Sequence, residues 1–269
     1  MKLEEIEAIR DPMQRLVRIM QTLRAPDGCP WDRKQTLETL TRYMREECAE
    51  VTDAVMEKDY PGLCDELGDL LMNIVFSAIV AEEQHLFNFE AVAAASSAKM
   101  IRRHPHVFGN AAADTPDQVV TQWDQIKRQE KADRPEPESL LDGIPKSYSA
   151  LMRAEAVQKR AAKIGFDWPA TAPILDKIAE ELAEVKSAMA EHDDSKIDEE
   201  IGDLLFAVVN LARFRKRGPA EDLLLEATRK FERRFHYIEK RLRETGVVPA
   251  EAGVDTLEKY WEEAKHQGF

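Results

Sequence analysis

Carboxylates three residues apart suggest the chemistry of this chain. Glu47 with Glu50, and Glu66 with Asp69, each fall on one face of a helix. An antiparallel hairpin brings together positions equidistant from its turn, and 50 with 66, like 47 with 69, average to 58. The four acids therefore meet at one level of a hairpin. The construction recurs around position 192, where Glu184 faces Glu200 and Glu181 faces Asp203. One such pair is ordinary on a solvated helix, but a symmetric quartet present twice asks for a ligand. Asp69 and Asp203 stand directly before apolar runs, so the quartets are expected at the edge of the core, where an unpaired carboxylate costs several kcal/mol. A hard divalent cation removes that penalty. Mg²⁺ and Mn²⁺ prefer oxygen ligands, and Mg²⁺ commonly keeps some waters and binds substrate phosphates as well.

Both quartets belong to one internal duplication. Glu46-Glu47-Cys48-Ala49-Glu50-Val51 recurs as Glu180-Glu181-Leu182-Ala183-Glu184-Val185, and Asp65-Glu66-Leu67-Gly68-Asp69 recurs as Glu199-Glu200-Ile201-Gly202-Asp203. Both blocks are displaced by 134 positions, 46 to 180 and 65 to 199. Lys99, Arg102 and Arg103 match Lys230, Arg233 and Arg234, while Trp123 with Lys127 matches Trp261 with Lys265. Between the copies, residues 132–145 carry Pro135, Pro137, Gly143 and Pro145 and read as an extended linker. The expected domains are 1–131 and 146–269.

Apolar residues recur at helical spacing, as in Leu67, Leu70, Leu71, Ile74, Val75 and Ala78, and sustained alternation is scarce. The expected fold is all-α. Thr36 and Thr171 are candidate N-caps for the helices that carry the first acid pair of each copy. Asp59-Tyr60-Pro61-Gly62 reads as the hairpin turn, replaced by His192-Asp193-Asp194-Ser195 in the second copy. Each copy is then a helical hairpin with flanking helices, half of a bundle.

At 269 residues, two domains are the natural expectation. A net charge of −13 opposes attraction to a nucleic-acid polymer or an anionic membrane. The apolar run at residues 70–81 contains Asn73 and Ser77 and is shorter than the ~20 residues that span a bilayer. The start of the chain alternates charge with apolar residues, unlike a signal peptide, so a cytoplasmic location is expected. Cys29, Cys48 and Cys64 form no Cys-x-x-Cys pair and are expected to be small buried hydrophobes. His104 and His106 flank Pro105 and read as structural. Glu82 with His85 and Glu263 with His266 have the Glu-x-x-His spacing of di-iron sites, but they do not occupy equivalent places in the repeat.

The pattern Glu-Glu-x-x-Glu, an interval, then Glu-x-x-Asp resembles the metal-binding signature of the all-α nucleoside triphosphate pyrophosphohydrolases, the group containing MazG and the all-α dUTPases. The MazG type is the closer match, through Gly28-Cys29-Pro30-Trp31-Asp32, Arg102-Arg103-His104-Pro105-His106-Val107-Phe108 and Lys230-Phe231-Glu232-Arg233-Arg234-Phe235. The two-copy layout also looks like full-length bacterial MazG. The resemblance implies Mg²⁺-dependent hydrolysis of nucleoside triphosphates between the α and β phosphates, by a homodimer whose bundles are completed by the second copy. It implies that Glu181, Glu184, Glu200 and Asp203 bind the metal and carry catalysis, and that Glu47, Glu50, Glu66 and Asp69 bind metal in the first copy. Lys177, Glu180, Lys196, Glu199, Lys230, Arg234, Trp261 and Lys265 would line the nucleotide site. Lys230 and Arg234 share a helix face and could clamp phosphate oxygens, while Trp261 could stack on a base or pack in the core. The alternative expectation is a non-catalytic helical regulator that holds metal.

Overall fold

A computed structural model describes residues 3–130 and 138–269. The chain divides into two compact units, Met1–Arg134 and Pro135–Phe269. Among the described residues every regular element is a helix. The first unit runs α1 (Leu3–Glu7), α2 (Pro12–Arg24), α3 (Leu37–Glu57), α4 (Tyr60–Glu83), α5 (Phe89–Arg103), α6 (Pro105–Phe108) and α7 (Pro116–Gln129). The second runs α8 (Ala150–Ala162), α9 (Thr171–Glu191), α10 (Asp194–Arg215), α11 (Ala220–Thr245) and α12 (Gly253–His266). None of these helices is long and apolar enough to cross a membrane.

Each unit is organised on a long antiparallel hairpin, α3 with α4 and α9 with α10. The reversals are tight because one residue in each turns left-handed: Lys58 at φ 60° and His192 at φ 54°. The following aspartate caps the next helix, Asp59 accepting from the Gly62 amide and Asp193 from the Lys196 amide, both at 3.1 Å. The four-residue turn expected at 59–62 is therefore shorter than anticipated. Tyr60, Pro61 and Gly62 already belong to α4, since a proline near a helix start forfeits only an N–H that has no partner there anyway.

Thr36 caps α3 in a reciprocal capping box with Thr39. Thr171 does not cap α9. The chain turns helical one residue earlier, with Ala170 in the capping position, so that Pro173 falls among the first-turn positions whose amides have no intrahelical partner.

In the first unit Met20 of α2, Leu40 of α3, and Val75, Phe76, Ile79 and Val80 of α4 form the core. In the second, Ile238 and Leu242 of α11 pack with Ala252 and with Tyr260 of α12. Buried Glu155 on α8 ties α11 to the unit, because its Oε2 accepts from the Ala220 amide at 3.0 Å while Lys159 pairs with its other oxygen. Of the linker expected at 132–145, residues 132–137 lie outside the described residues. The part from 138 onward is folded rather than extended: Asp142 accepts from the Ser139 amide, and Arg160 of α8 donates to the Leu140 carbonyl at 2.9 Å.

Cys48 and Cys64 are exposed and Cys29 is partly buried, against the expectation of burial. The hairpins are covered on one face only, and residues on the other face stay open whatever their polarity.

Candidate metal centre

The hairpin register brings the sequence-selected acids together. One carboxylate oxygen each from Glu181, Glu200 and Asp203 lies within 4.8 Å of the others, and Glu180, Glu181 and Glu184 form a second such group. In the first unit Glu47, Glu66 and Asp69 meet in the same way. Glu50 acts electrostatically on both Glu47 and Glu66, which places it in that quartet. Among the described residues these acidic clusters are the only groups of metal-ligating side chains, and neither His85 nor His266 joins one.

The acids are poised for a cation. Glu181 is only 4% exposed, and among the described residues its ion-pair partner is Lys177, at 2.6 Å. Lys177 also donates to Glu180 at 2.8 Å, and these two hydrogen bonds raise its pKa above the usual lysine value. Desolvation pushes the Glu184 carboxyl up, and the nearby charges of Glu200 and Glu181 push it further. Desolvation likewise raises Glu47 and Glu66, with their neighbours in the quartet adding to it. An all-oxygen set of crowded carboxylates with raised proton affinity fits a hard divalent cation.

Sequence reasoning passed over one residue at the first quartet. Asn73 is buried and donates to Glu47 Oε1 at 3.3 Å and to the Asp69 carbonyl at 3.2 Å. Its signal was a lone amide inside an apolar run. The repeat places Ala207 at the same point in the second unit.

The remaining selected residues of the second unit fall into two places. Glu199 is exposed on α10, and Lys196 pairs weakly with Glu191 across the hairpin turn at 3.7 Å. Arg234 lies over the Trp261 ring with its Cζ 5.2 Å from the centroid, and its Nε donates to the Phe269 carbonyl. Lys265 pairs with Glu262, and Lys230 is exposed one turn before Arg234. Trp261 packs against the α11–α12 core and Phe231. The structure thus brings Lys177 to the acids, whereas the Arg234 and Trp261 group gathers at α11 and α12. In the first unit Trp123 receives Lys127 over its face and His104 at its edge. His106 meets Gln122 at 3.0 Å, so both histidines are held in packing contacts.

These raised carboxylates have a measurable consequence. The folded state holds protons on Glu47, Glu66 and Glu184 more tightly than the unfolded chain, so they reduce stability as pH rises from the ordinary value of 4.5 through the raised values. Glu130, Glu155 and Asp167 are shifted the other way and lose their contribution in acid. The difference between melting curves with and without Mg²⁺ isolates the quartets. Stabilisation by Mg²⁺ is expected to be absent near pH 4 and to grow across the window above 4.5; an equal shift at both ends would contradict a carboxylate site.

Comparison with known proteins bears on this arrangement. The profile of the MazG nucleotide pyrophosphohydrolase domain matches twice, at residues 35–108 and 171–238, and each match contains one hairpin with its quartet. The nucleoside triphosphate pyrophosphohydrolase of Escherichia coli K12 is 45% identical over 258 residues, covering 95% of this chain and 97% of that protein. The nucleoside triphosphate pyrophosphohydrolase/pyrophosphatase MazG of Thermotoga maritima is 43% identical over 252 residues, covering 94% of this chain and 95% of that one. A solved mazG-related protein from Thermotoga maritima aligns with 43% of this chain and 98% of its own length, at 28% identity and a TM-score of 0.38. With a duplicated profile match and near full-length similarity to the Escherichia coli and Thermotoga maritima pyrophosphohydrolases, the chain belongs to the MazG nucleotide pyrophosphohydrolase family.

Proposed function

We propose that the protein hydrolyses nucleoside triphosphates, ATP among them, between the α and β phosphates, releasing a nucleoside monophosphate and pyrophosphate. The observation that carries this reading is the half-buried carboxylate cluster of α9 and α10 with Lys177 against it, in a chain of this family. Glu181, Glu184, Glu200 and Asp203 would hold Mg²⁺, with Mn²⁺ as a substitute, and the quartet Glu47, Glu50, Glu66 and Asp69 would hold it in the first unit. When bound, such a cation neutralises phosphate charge and lowers the pKa of water.

The residues themselves do the rest. Lys177 exchanges a contact with Glu180 or Glu181 for a phosphate oxygen, and Lys196 adds a second positive charge from the start of α10, where the helix dipole also favours an anion. Glu180 and Glu199 flank the metal ligands, and Glu180 orients Lys177. Lys230, Arg234, Trp261 and Lys265 complete the nucleotide site. We take 146–269 as the principal catalytic domain and 1–131 as its duplicate. A cytoplasmic homodimer without nucleic-acid or membrane partners completes the reading.

The experiment is product analysis across a panel of triphosphates. Pyrophosphate is expected with Mg²⁺ or Mn²⁺, with little turnover in Ca²⁺, whose looser coordination serves positioning poorly. Orthophosphate as the product, or full turnover in excess chelator, would overturn it; a regulator that only holds metal would give no product.

A further inference from the structure

The second unit has a cavity of about 450 Å³, open to solvent on one side, between α8, α9, α10 and the loop joining α8 to α9, within the size range of small-molecule sites. Phe166, Trp168 and Phe206 supply aromatic wall. Five other lining residues can form hydrogen bonds: Gln158, Asp167, Lys177, Asn210 and Arg213. Arg213 is fixed by Asp167 and by Asn210, whose Oδ1 accepts from its Nη2 at 2.7 Å. Gln158 is 7% exposed; its Nε2 donates to the Phe206 carbonyl at 2.9 Å, while its Oε1 is buried without a partner. Lys177 joins this cavity to the acid cluster, since it lines the cavity and its amine pairs with Glu181.

The duplication supplies an internal control. The displacement of 134 positions that aligns the hairpins puts Tyr43, Phe76 and Ile79 where Lys177, Asn210 and Arg213 stand. Gln158 is the ninth residue of α8, and the ninth residue of the equally long α2 is Met20. Gly28-Cys29-Pro30-Trp31 matches Gly165-Phe166-Asp167-Trp168 and puts Pro30 in place of Asp167. All five polar positions are thus apolar or aromatic in the first unit. Met20, Phe76 and Ile79 are at most 4% exposed there and form the core, with Tyr43 packed against it. One copy of the repeat fills this region with side chains; the other leaves a cleft lined with amides and charges. Such a cleft gives up packing that the other copy has, and a buried acceptor with no partner among the described residues adds to the cost, which favours an occupant.

We propose that this cavity receives the nucleobase of the triphosphate whose phosphates meet Lys177 and the acid cluster, with Gln158 and Asn210 reading the edge of the base. This rests on the triphosphate reading of the site. Aromatic walls with a few carboxamides suit a planar ring that is apolar on its faces and hydrogen-bonding at its rim. Selection among triphosphates is then made in the second unit.

The test installs the first unit's residues, as Gln158→Met and Asn210→Phe, beside the isosteric Asn210→Asp, and compares KM and kcat over a nucleotide panel. Inorganic tripolyphosphate, which has no base, serves as a competitive inhibitor for reference. Filling the cavity is expected to raise KM for nucleoside triphosphates about tenfold or more with kcat changed less, and to leave tripolyphosphate inhibition unchanged. Asn210→Asp, which swaps a donor for an acceptor, is expected to reorder the preferred bases, and it keeps the question answerable where a larger residue disturbs folding. Unchanged KM and ranking in all three variants, or equal weakening of nucleotides and tripolyphosphate, would overturn the assignment. Absence of pyrophosphate with the unaltered protein would instead sink the functional reading beneath it.

Discussion

Alanine at Glu200 or Asp203 is expected to lower kcat by about 10²–10³-fold or more, while alanine at Glu66 or Asp69 leaves most of the hydrolysis intact. Both units have four acids, so the acids alone do not set this asymmetry. On the proposed reading the difference lies in the positive charges available to a triphosphate. Lys177 and Lys196 stand where the first unit has Tyr43 and Gly62. Losing one preorganised donor to a developing anion typically costs ~2.7–4 kcal/mol, so two absent donors can silence a site that still binds metal.

The first unit's remaining cations are also engaged. Arg103, the counterpart of Arg234, and its neighbour Arg102 both hold Glu130 at 2.6 Å, and their hydrogen bonds bring that carboxyl down to about 2. The alignment that pairs Trp123 with Trp261 puts Gly268 in the place of Glu130, so the second unit has no such carboxylate there. A carboxylate clamped by two guanidiniums occupies the contacts a phosphate would need. Lys99 and Lys127 still favour some residual activity on particular nucleotides. The assay compares the four alanine variants across the panel after each is shown to be folded. Equal loss from the two units would overturn this division of labour.

Much of this site was legible because the hairpin constrains it twice. The midpoints of the acid spacing, 58 and 192, are the residues that turn left-handed at the two hairpin reversals, so the register that gathers the acids followed from one count. The duplication then fixed the alignment of the units. Where sequence reasoning failed, the deciding fact was tertiary. Thr171 has the right side chain for a cap, but the backbone enters the helix at Ala170. Cys48 and Cys64 have the composition of core residues yet stand on a face the unit does not cover. Gln158, Asn210 and Arg213 pass for surface residues until their counterparts Met20, Phe76 and Ile79 are seen to be buried. Comparing the copies position by position for polar residues at core positions would have found them; looking for matches between the copies hides them.

Replacing Leu205 by glutamate is expected to convert a dimer into a monomer. On α10, Ile201, Leu205 and Val208 recur at helical spacing and are exposed, Leu205 by 55%; at the matching positions of α4, Leu67 and Ile74 are exposed too. Apolar stripes on both hairpins favour a second copy as the cover, forming a closed twofold assembly. Leu205 points away from Asp203, two residues before it on the helix, so the substitution acts on the stripe rather than on the ligand set. Burying a carboxylate in such an interface costs several kcal/mol, and a twofold axis imposes the penalty twice, which weakens association by about 10³-fold or more. Val254→Glu, an exposed apolar position outside the hairpins, is the control expected to leave association unchanged. Sedimentation at micromolar concentration reads the outcome: the unaltered protein should run at roughly twice 30.7 kDa and the Leu205→Glu variant at 30.7 kDa. An unaltered chain that sediments as a monomer would show that something other than a second copy covers these stripes.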